Sequence, residues 1–237
     1  MRQLSFVLFA VLCFAITSCT KEKTITLSDT SITLHHGETH QIPAQCDNPI
    51  TYTSANEYHA KVSSTGLITA QYVGSTTIRL SSDDDTKNFN VTVAPQSNLY
   101  PEPNIRMGAT RSSVISSLGT PDYTDANSIG YTSYSTNASF LIVLFDNSNC
   151  VKSYAVVVGT SHTNSLRTFL GERYVYVGTS GGTTFYRNGL TPSSSTLAIG
   201  MEVYDLSYWM VAYLPYNGKE NNMAAIRSIL KTIEGRF

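Results

Sequence analysis

Between Ile78 and Val93 apolar and polar residues alternate: Ile78 and Leu80 flank Arg79, while Phe89, Val91 and Val93 flank Asn90 and Thr92. Side chains alternate faces along a strand but recur every 3.6 residues on a helix, so this period belongs to strands with one face on a core and one in water. Asp83-Asp84-Asp85 lies between the two runs and reads as the loop of an antiparallel hairpin. Gly37, Gly66 and Gly74 stand where turns are needed. Short runs of this kind fill residues 24–94, and long helical periodicity is scarce before residue 221. The expected fold is therefore mainly β, opening with a sandwich of about seven strands.

The chain has 237 residues, a length that suggests one or two domains. It is 41% hydrophobic and 14% charged, apolar enough to build cores and too weakly charged for disorder. Its net charge is −1, with no cluster of Lys and Arg to follow a phosphate backbone, so no nucleic-acid partner is expected. Ser, Thr, Asn and Tyr are abundant, favouring short strands and turns.

Six ordered pieces give residues 24–94 a family resemblance. They are Ile32-Thr33-Leu34 before Gly37-Glu38-Thr39, Thr51-Tyr52-Thr53-Ser54-Ala55-Asn56, Ala60-Lys61-Val62, Gly66-Leu67-Ile68-Thr69-Ala70, Gly74-Ser75-Thr76-Thr77-Ile78 and Asn90-Val91-Thr92-Val93. In this order they resemble the group 2 bacterial immunoglobulin-like module. Tyr52 stands where that family usually has Trp, which keeps an aromatic plug for the core.

Residues 95–100, Pro95-Gln96-Ser97-Asn98-Leu99-Tyr100, read as a linker, with Pro101-Glu102-Pro103 extending it. The second domain, 101–237, carries an internal repeat with halves at about 108–158 and 163–214. Thr110 opens a helical run through Val114 and Leu118, stopped by Gly119 and followed by Pro121. Thr163 opens a second run with Leu166, Phe169 and Leu170, stopped by Gly171. Strands are expected near 129–134, 139–146 and 151–158, then near 173–178, 183–187, 196–204 and 208–214. A closing helix is expected at about 221–235, with Met223, Ile226, Leu230 and Ile233 on its apolar face. A helix followed by a meander, twice over, makes this an α+β domain. It resembles the β-lactamase-inhibitor-protein fold. Gly108, Thr110, Val114, Leu118, Gly119 and Pro121 also resemble the motif of small outer-membrane-assembly lipoproteins.

The N-terminus reads as an address. Arg2 precedes an apolar run from Leu4 to Ile16, interrupted by Ser5 and 13 residues long. That is short of the roughly 20 needed to span a bilayer, but it fits the core of a signal peptide. Ile16-Thr17-Ser18-Cys19 resembles the bacterial lipobox. The resemblance implies a signal peptide at 1–18, cleavage between Ser18 and Cys19, acylation of Cys19 by palmitate-like chains, and a tether at 19–23. A membrane is then a partner through the lipid, and the expected location is the cell envelope, at the outer membrane, with the leaflet open. Each buried methylene contributes about 0.8 kcal/mol, so two or three chains anchor stably. Of the cysteines, Cys46 and Cys150 remain; they fall in different domains and are read as small packed hydrophobes rather than a disulfide.

No catalytic or metal site is expected, nor a cofactor. Gly178-Thr179-Ser180-Gly181-Gly182 looks like the nucleophile loop of chymotrypsin-like proteases, but Thr179 stands where that family has Asp. The only His between residue 60 and Ser180 is His162, so the stretch reads as a Gly-rich turn. His35 and His36 are adjacent in a strand and point to opposite faces, while His40 and His59 are read as surface or edge residues. The three aspartates at 83–85 lack a calcium-loop spacing and are read as a solvated turn. The candidate partner-binding residues are Tyr174, Tyr176, Tyr186, Tyr204, Trp209 and Tyr213. Alternation within each strand sets them opposite Val175, Val177, Phe185, Leu197, Ile199, Met201 and Val203, which are expected under the helices. The expectation is an open aromatic sheet face for an unidentified protein or glycan. The function expected is a non-enzymatic binding or adhesion lipoprotein with the Ig-like domain as spacer; a structural or assembly accessory of the outer membrane is the alternative.

Overall fold

The computed structural model describes residues 24–83 and 85–216. The signal peptide expected at 1–18, the cleavage and lipidation site expected at Ser18 and Cys19, the tether expected to Lys23 and the closing helix expected at 221–235 all fall outside the described residues.

The first domain is built from β1 (Thr26–Leu27), β2 (Ser31–His35), β3 (Thr39–Gln41), β4 (Ala44–Gln45), β5 (Thr51–Ser54), β6 (Ala60–Val62), β7 (Leu67–Ala70), β8 (Gly74–Ser82) and β9 (Asp85–Ala94). One sheet runs β2-β9-β8-β5 and a second β3-β7-β6, with β1 and β4 as a separate ribbon. The two sheets close on a common core of Ile68, Ile78, Leu80, Phe89 and Val91. Each is fully buried and contributes about 1.5–3 kcal/mol by leaving water, which is why the alternation in β8 and β9 is strict. The two-residue strands β1 and β4 carry no readable period and were not expected. Ser82 pairs with Asp85, so β8 and β9 form an antiparallel hairpin. Gly66 has φ +82°, and a Cβ there would meet the Tyr52 ring at 2.8 Å; the glycine makes room for the aromatic that replaces Trp.

The second domain comprises α1 (Arg111–Leu118), β10 (Tyr123–Thr124), β11 (Ser128–Ser135), β12 (Ala138–Phe145), β13 (Val151–Gly159), α2 (Thr163–Gly171), β14 (Val175–Ser180), β15 (Thr183–Arg187), β16 (Leu197–Val203) and β17 (Tyr208–Pro215). Each helix leads into a four-stranded meander, and the meanders join through β13 and β17 into one eight-stranded sheet, β10-β11-β12-β13-β17-β16-β15-β14. Thr110 caps α1 by accepting from the Ser113 amide at 3.3 Å, and Gly119 ends it at φ +90°. Gly171 is the last residue of α2 rather than the residue beyond it; Glu172 is the cap. Val114 of α1 and Leu166, Phe169 and Leu170 of α2 pack on Val156, Val158, Ile199 and Val211 of the sheet. The stretch read as a linker is part of this core: Leu99 and Tyr100 are buried in it. Tyr100 donates to or accepts from the Tyr213 hydroxyl at 2.8 Å, so two buried phenols satisfy one another. Left unpaired, each would cost about 1–3 kcal/mol.

Candidate functional site

The two domains meet at the C-terminal end of α2. Glu172 is 3% exposed, and its carboxylate accepts the backbone N–H groups of Gln96 at 2.8 Å and Ser97 at 3.0 Å. Arg173 Nη1 lies 2.5 Å from the same carboxylate, and its guanidinium stacks 3.9 Å over the Phe169 ring. Arg173 Nε sits 3.5 Å from Glu102 Oε2, within ion-pair range but without hydrogen-bond geometry. The first domain contributes the Val73 N–H, donated to the Glu172 carbonyl at 2.8 Å, and the Tyr58 hydroxyl, donated to the Arg173 carbonyl at 2.5 Å. Tyr58 is stacked on Tyr72 at 4.7 Å. Burial, with Tyr72 and Glu102 nearby, raises the Tyr58 pKa well above the ordinary phenol, so its proton stays on at neutral pH. His59 fills the space above Gly74, where a Cβ would meet the ring at 2.2 Å, and its Nδ1 bonds the Tyr72 carbonyl at 3.1 Å.

This junction frames a cleft of about 530 Å³. Asn56, Glu57 and His59 line it from the first domain; Arg173, Asn188 and Ser194 line it from the second. Its chemistry is amide, carboxylate, imidazole, guanidinium and hydroxyl, which suits a ligand with many hydrogen-bonding groups. Sequence reasoning missed it. Glu172-Arg173 after a helix stop is a charged pair in a chain poor in charge, but nothing local shows that residues 58, 73, 96 and 97 return to it.

The aromatic candidates sit differently from expectation. Tyr174, Tyr186 and Tyr213 are 9%, 6% and 1% exposed, inside the helix-covered core. Trp209 is half-buried against the same core and donates its indole N–H to Thr163 Oγ1 at 2.7 Å. Tyr176 is 60% exposed on edge strand β14, its ring edge-on to Tyr186 at 5.9 Å. Tyr204 lies with the apolar cluster of the opposite face. The reason is cross-strand register: Tyr186 pairs with Ile199, and Ile199 with Tyr213, so all three point to one side. Alternation within each strand was read correctly, but the strands were aligned wrongly. Phe185, expected under the helices, pairs with Gly200 on the other face. The buried rings pack in pairs, with Tyr154 stacked on Tyr213 at 4.8 Å and Tyr100 tilted against Phe169 at 4.3 Å, and the Tyr100–Tyr213 hydrogen bond joins the two pairs. The Tyr174 hydroxyl donates to Glu102. Burial holds the Tyr100, Tyr174 and Tyr213 hydroxyls far above the ordinary phenol pKa.

The remaining candidates have structural partners. Ser180 and Thr183 pair across the β14–β15 hairpin, whose central Gly181 and Gly182 both have positive φ, as a type I′ turn requires. His162 precedes α2, on a different element from that hairpin. His35 Nδ1 bonds the Ala94 carbonyl, His36 Nδ1 the Gln71 carbonyl, and His40 stacks on Phe89. Asp85 Oδ2 accepts the Ile25 amide at 2.6 Å, and Asp83 Oδ2 accepts from Asn48 Nδ2 at 2.6 Å. Cys46 and Cys150 are each half-buried; the Cys46 thiol donates to Ser82 Oγ at 3.4 Å and the Cys150 thiol to the Ser148 carbonyl at 3.7 Å. Among the described residues, no group of three or more His, Cys, Asp or Glu is placed to hold a metal ion. No described helix is long and apolar enough to cross a membrane.

The bacterial Ig-like domain (group 2) family matches residues 21–93, which makes the first domain a member of it. No curated protein matches the chain. Among solved structures, domains 5–6 of the S-layer protein SbsC align at 12% identity over 83% of this chain and 85% of that one, with a TM-score of 0.26. Human protocadherin-24 EC1-2 aligns at 14% identity over 81% of this chain and 94% of that one, also with a TM-score of 0.26. A likeness at that level establishes neither a shared overall fold nor a shared function.

Proposed function

We propose that this chain is a lipid-anchored protein of the bacterial cell envelope that binds a glycan or other hydroxyl-rich ligand in the cleft between its two domains. The observation that carries the reading is the Glu172 clamp. One buried carboxylate takes two amide protons of the 95–100 segment, and its own carbonyl takes Val73 of the Ig-like domain. A spacer meant only to hold a head away from a membrane needs no such fixture. A two-domain binding surface does, because loss of relative motion lowers the entropy cost of closing on a ligand. The Ig-like family of the first domain supports an extracytoplasmic setting, and Ile16-Thr17-Ser18-Cys19 supports the anchor. The paired helix-plus-meander order supports the resemblance to the β-lactamase-inhibitor-protein fold. Binding without catalysis is the role proposed.

Two measurements test this. Metabolic labelling with a palmitate analogue should mark the protein and fail on Cys19→Ala; equal labelling of both sinks the anchor. Binding to an array of bacterial and host glycans should select a class of ligands and weaken by about tenfold or more in Glu57→Ala, the loss of one charged hydrogen bond. An array with no selective binding, or a folded Glu57→Ala protein with unchanged affinity, overturns the cleft. Protease shaving of intact cells then reads exposure: release supports adhesion, and full protection transfers the reading to a periplasmic accessory.

A further inference from the structure

Arg173 and Tyr174 line the cleft from the second domain, and β14 begins at the next residue. Tyr174 and Tyr176 lie on the helix side of the sheet, Tyr174 against Tyr213 and Tyr176 against Tyr186. Two residues of extended chain cover about 7 Å, so Tyr176 stands one short step along the edge strand from the cleft wall. It is 60% exposed, more than any other aromatic ring among the described residues. The ring is nevertheless held. It stands edge-on to the buried Tyr186 at 5.9 Å, and its hydroxyl shares a hydrogen bond with Thr179 Oγ1 at 3.3 Å. Thr179 Oγ1 is bonded in turn to Thr184 Oγ1 at 3.2 Å. An exposed ring fixed from behind is pre-organised, with little rotamer freedom left to lose on binding.

The strand narrows what that ring can take. Its register with β15 shifts between Tyr176 and Gly178, which leaves Val177 without a partner there. Such a bulge re-aims side chains and blunts a sheet edge against an added strand. The edge therefore offers a ring rather than a run of backbone, which argues against an extended peptide. Val175–Ser180 carries no charged residue, so nothing on it calls for an ionic group. Val177, 54% exposed, widens the apolar surface. What remains is an apolar ring face bordered by the hydroxyls of Tyr176, Thr179 and Thr184. A pyranose matches it: its C–H face lies on the aromatic ring while its rim hydroxyls meet the bordering oxygens.

We infer that the cleft takes an oligosaccharide, one residue of which lies in the cleft while a following residue stacks on Tyr176. The inference rests on the reading of the cleft as a glycan site, and adds to it the length of the ligand and an outer subsite. A monosaccharide fills the inner position only. A chain fills both and gains the ring contact.

The test is a length series titrated against the full-length protein: oligomers of glucose, mannose and N-acetylglucosamine, each from one residue to six. In at least one series affinity should rise about tenfold between the single sugar and the trimer, the gain of one aromatic contact, and then level off. Tyr176→Ala should remove that gain and leave the single sugar unaffected, while Tyr176→Phe, which keeps the ring, should retain most of it. Tyr176→Thr keeps strand propensity without the ring and should behave as the alanine does, with the far-ultraviolet spectrum unchanged. Glu57→Ala should weaken every length. Oligomers that respond to Glu57→Ala but not to Tyr176→Ala overturn the outer subsite and leave the cleft standing. Equal loss at all lengths in Tyr176→Ala overturns it too. Loss in Tyr176→Ala without loss in Glu57→Ala overturns the shared ligand, and binding at no length overturns both the subsite and the cleft.

Discussion

The two halves of the second domain share an order of elements but not a distribution of work. The first helix, α1, buries Val114 alone, and its ends are tied by local devices: the Thr110 cap, the Gly119 stop, and Arg111, whose guanidinium holds the Asp125, Ala126 and Ser128 carbonyls. The second helix, α2, buries Leu166, Phe169 and Leu170, and its C-terminal Glu172-Arg173 fastens the Ig-like domain. A repeat in sequence order is thus not a repeat in energetics. Strands of both halves feed the common core, but the second helix buries more of itself there and its end carries the junction.

Substitutions can break that contrast. Phe169→Ala should be the most damaging, about 3–5 kcal/mol, because it opens a cavity beneath Tyr100 and removes the platform for Arg173. Equilibrium denaturation measures it, and a cost below that of Val114→Ala would reverse the assignment of the two helices. Glu172→Ala should cost about 3 kcal/mol, since it leaves two amides without their partner and removes the buried ion pair of Arg173, which keeps only the Phe169 carbonyl and ring and the more distant Glu102. It should also separate the two domains: small-angle scattering should show a wider spread of shapes, and an unchanged profile would mean the junction is held elsewhere. Val114→Ala should cost about 1–2 kcal/mol and leave that profile alone.

The smallest effect concerns acid. Burial alone would raise the Asp125 pKa, but hydrogen bonds from the Tyr123 hydroxyl and from the Asn127 and Ser128 amides outweigh it and lower it to about 2. A carboxylate with a depressed folded-state pKa adds stability that is full above its unfolded value and lost as pH falls toward 2. Asp125 is only partly buried, so solvent screening reduces its contribution to about 1 kcal/mol or less. Asp125→Asn should therefore destabilise the protein at pH 7 and have little effect near pH 2, in thermal melts at both. An equal loss at both pH values would show that the geometry of the loop, not its charge, is what matters.

What was legible follows from locality. Period-two alternation placed β8 and β9, the Ig-like motifs placed β2, β5, β6 and β7, and cap-and-stop signals placed α1 and α2 to within a residue or two. The strands of the second domain fell close to their expected positions for the same reason. The two-residue strands β1, β4 and β10 were missed because two residues show no period. The junction was missed because it joins Tyr58, Val73, Gln96 and Glu172, which no local pattern relates.

The aromatic residues draw the boundary most clearly. The sequence by itself determined that Tyr186 and Phe185 take opposite faces, as do Tyr213 and Ala212, because side chains alternate along a strand whatever surrounds it. It could not determine which face of one strand lines up with which face of the next. That choice belongs to register, and sliding a strand by one residue exchanges its two faces. Only the tertiary structure decided that Tyr186, Ile199 and Tyr213 form one row beneath α2. The second face of this sheet is apolar too, so hydrophobicity alone could not mark the helix side. Packing of Phe169 and Leu170 against that row, with Tyr100 brought in from a segment that reads as a linker, settled the question.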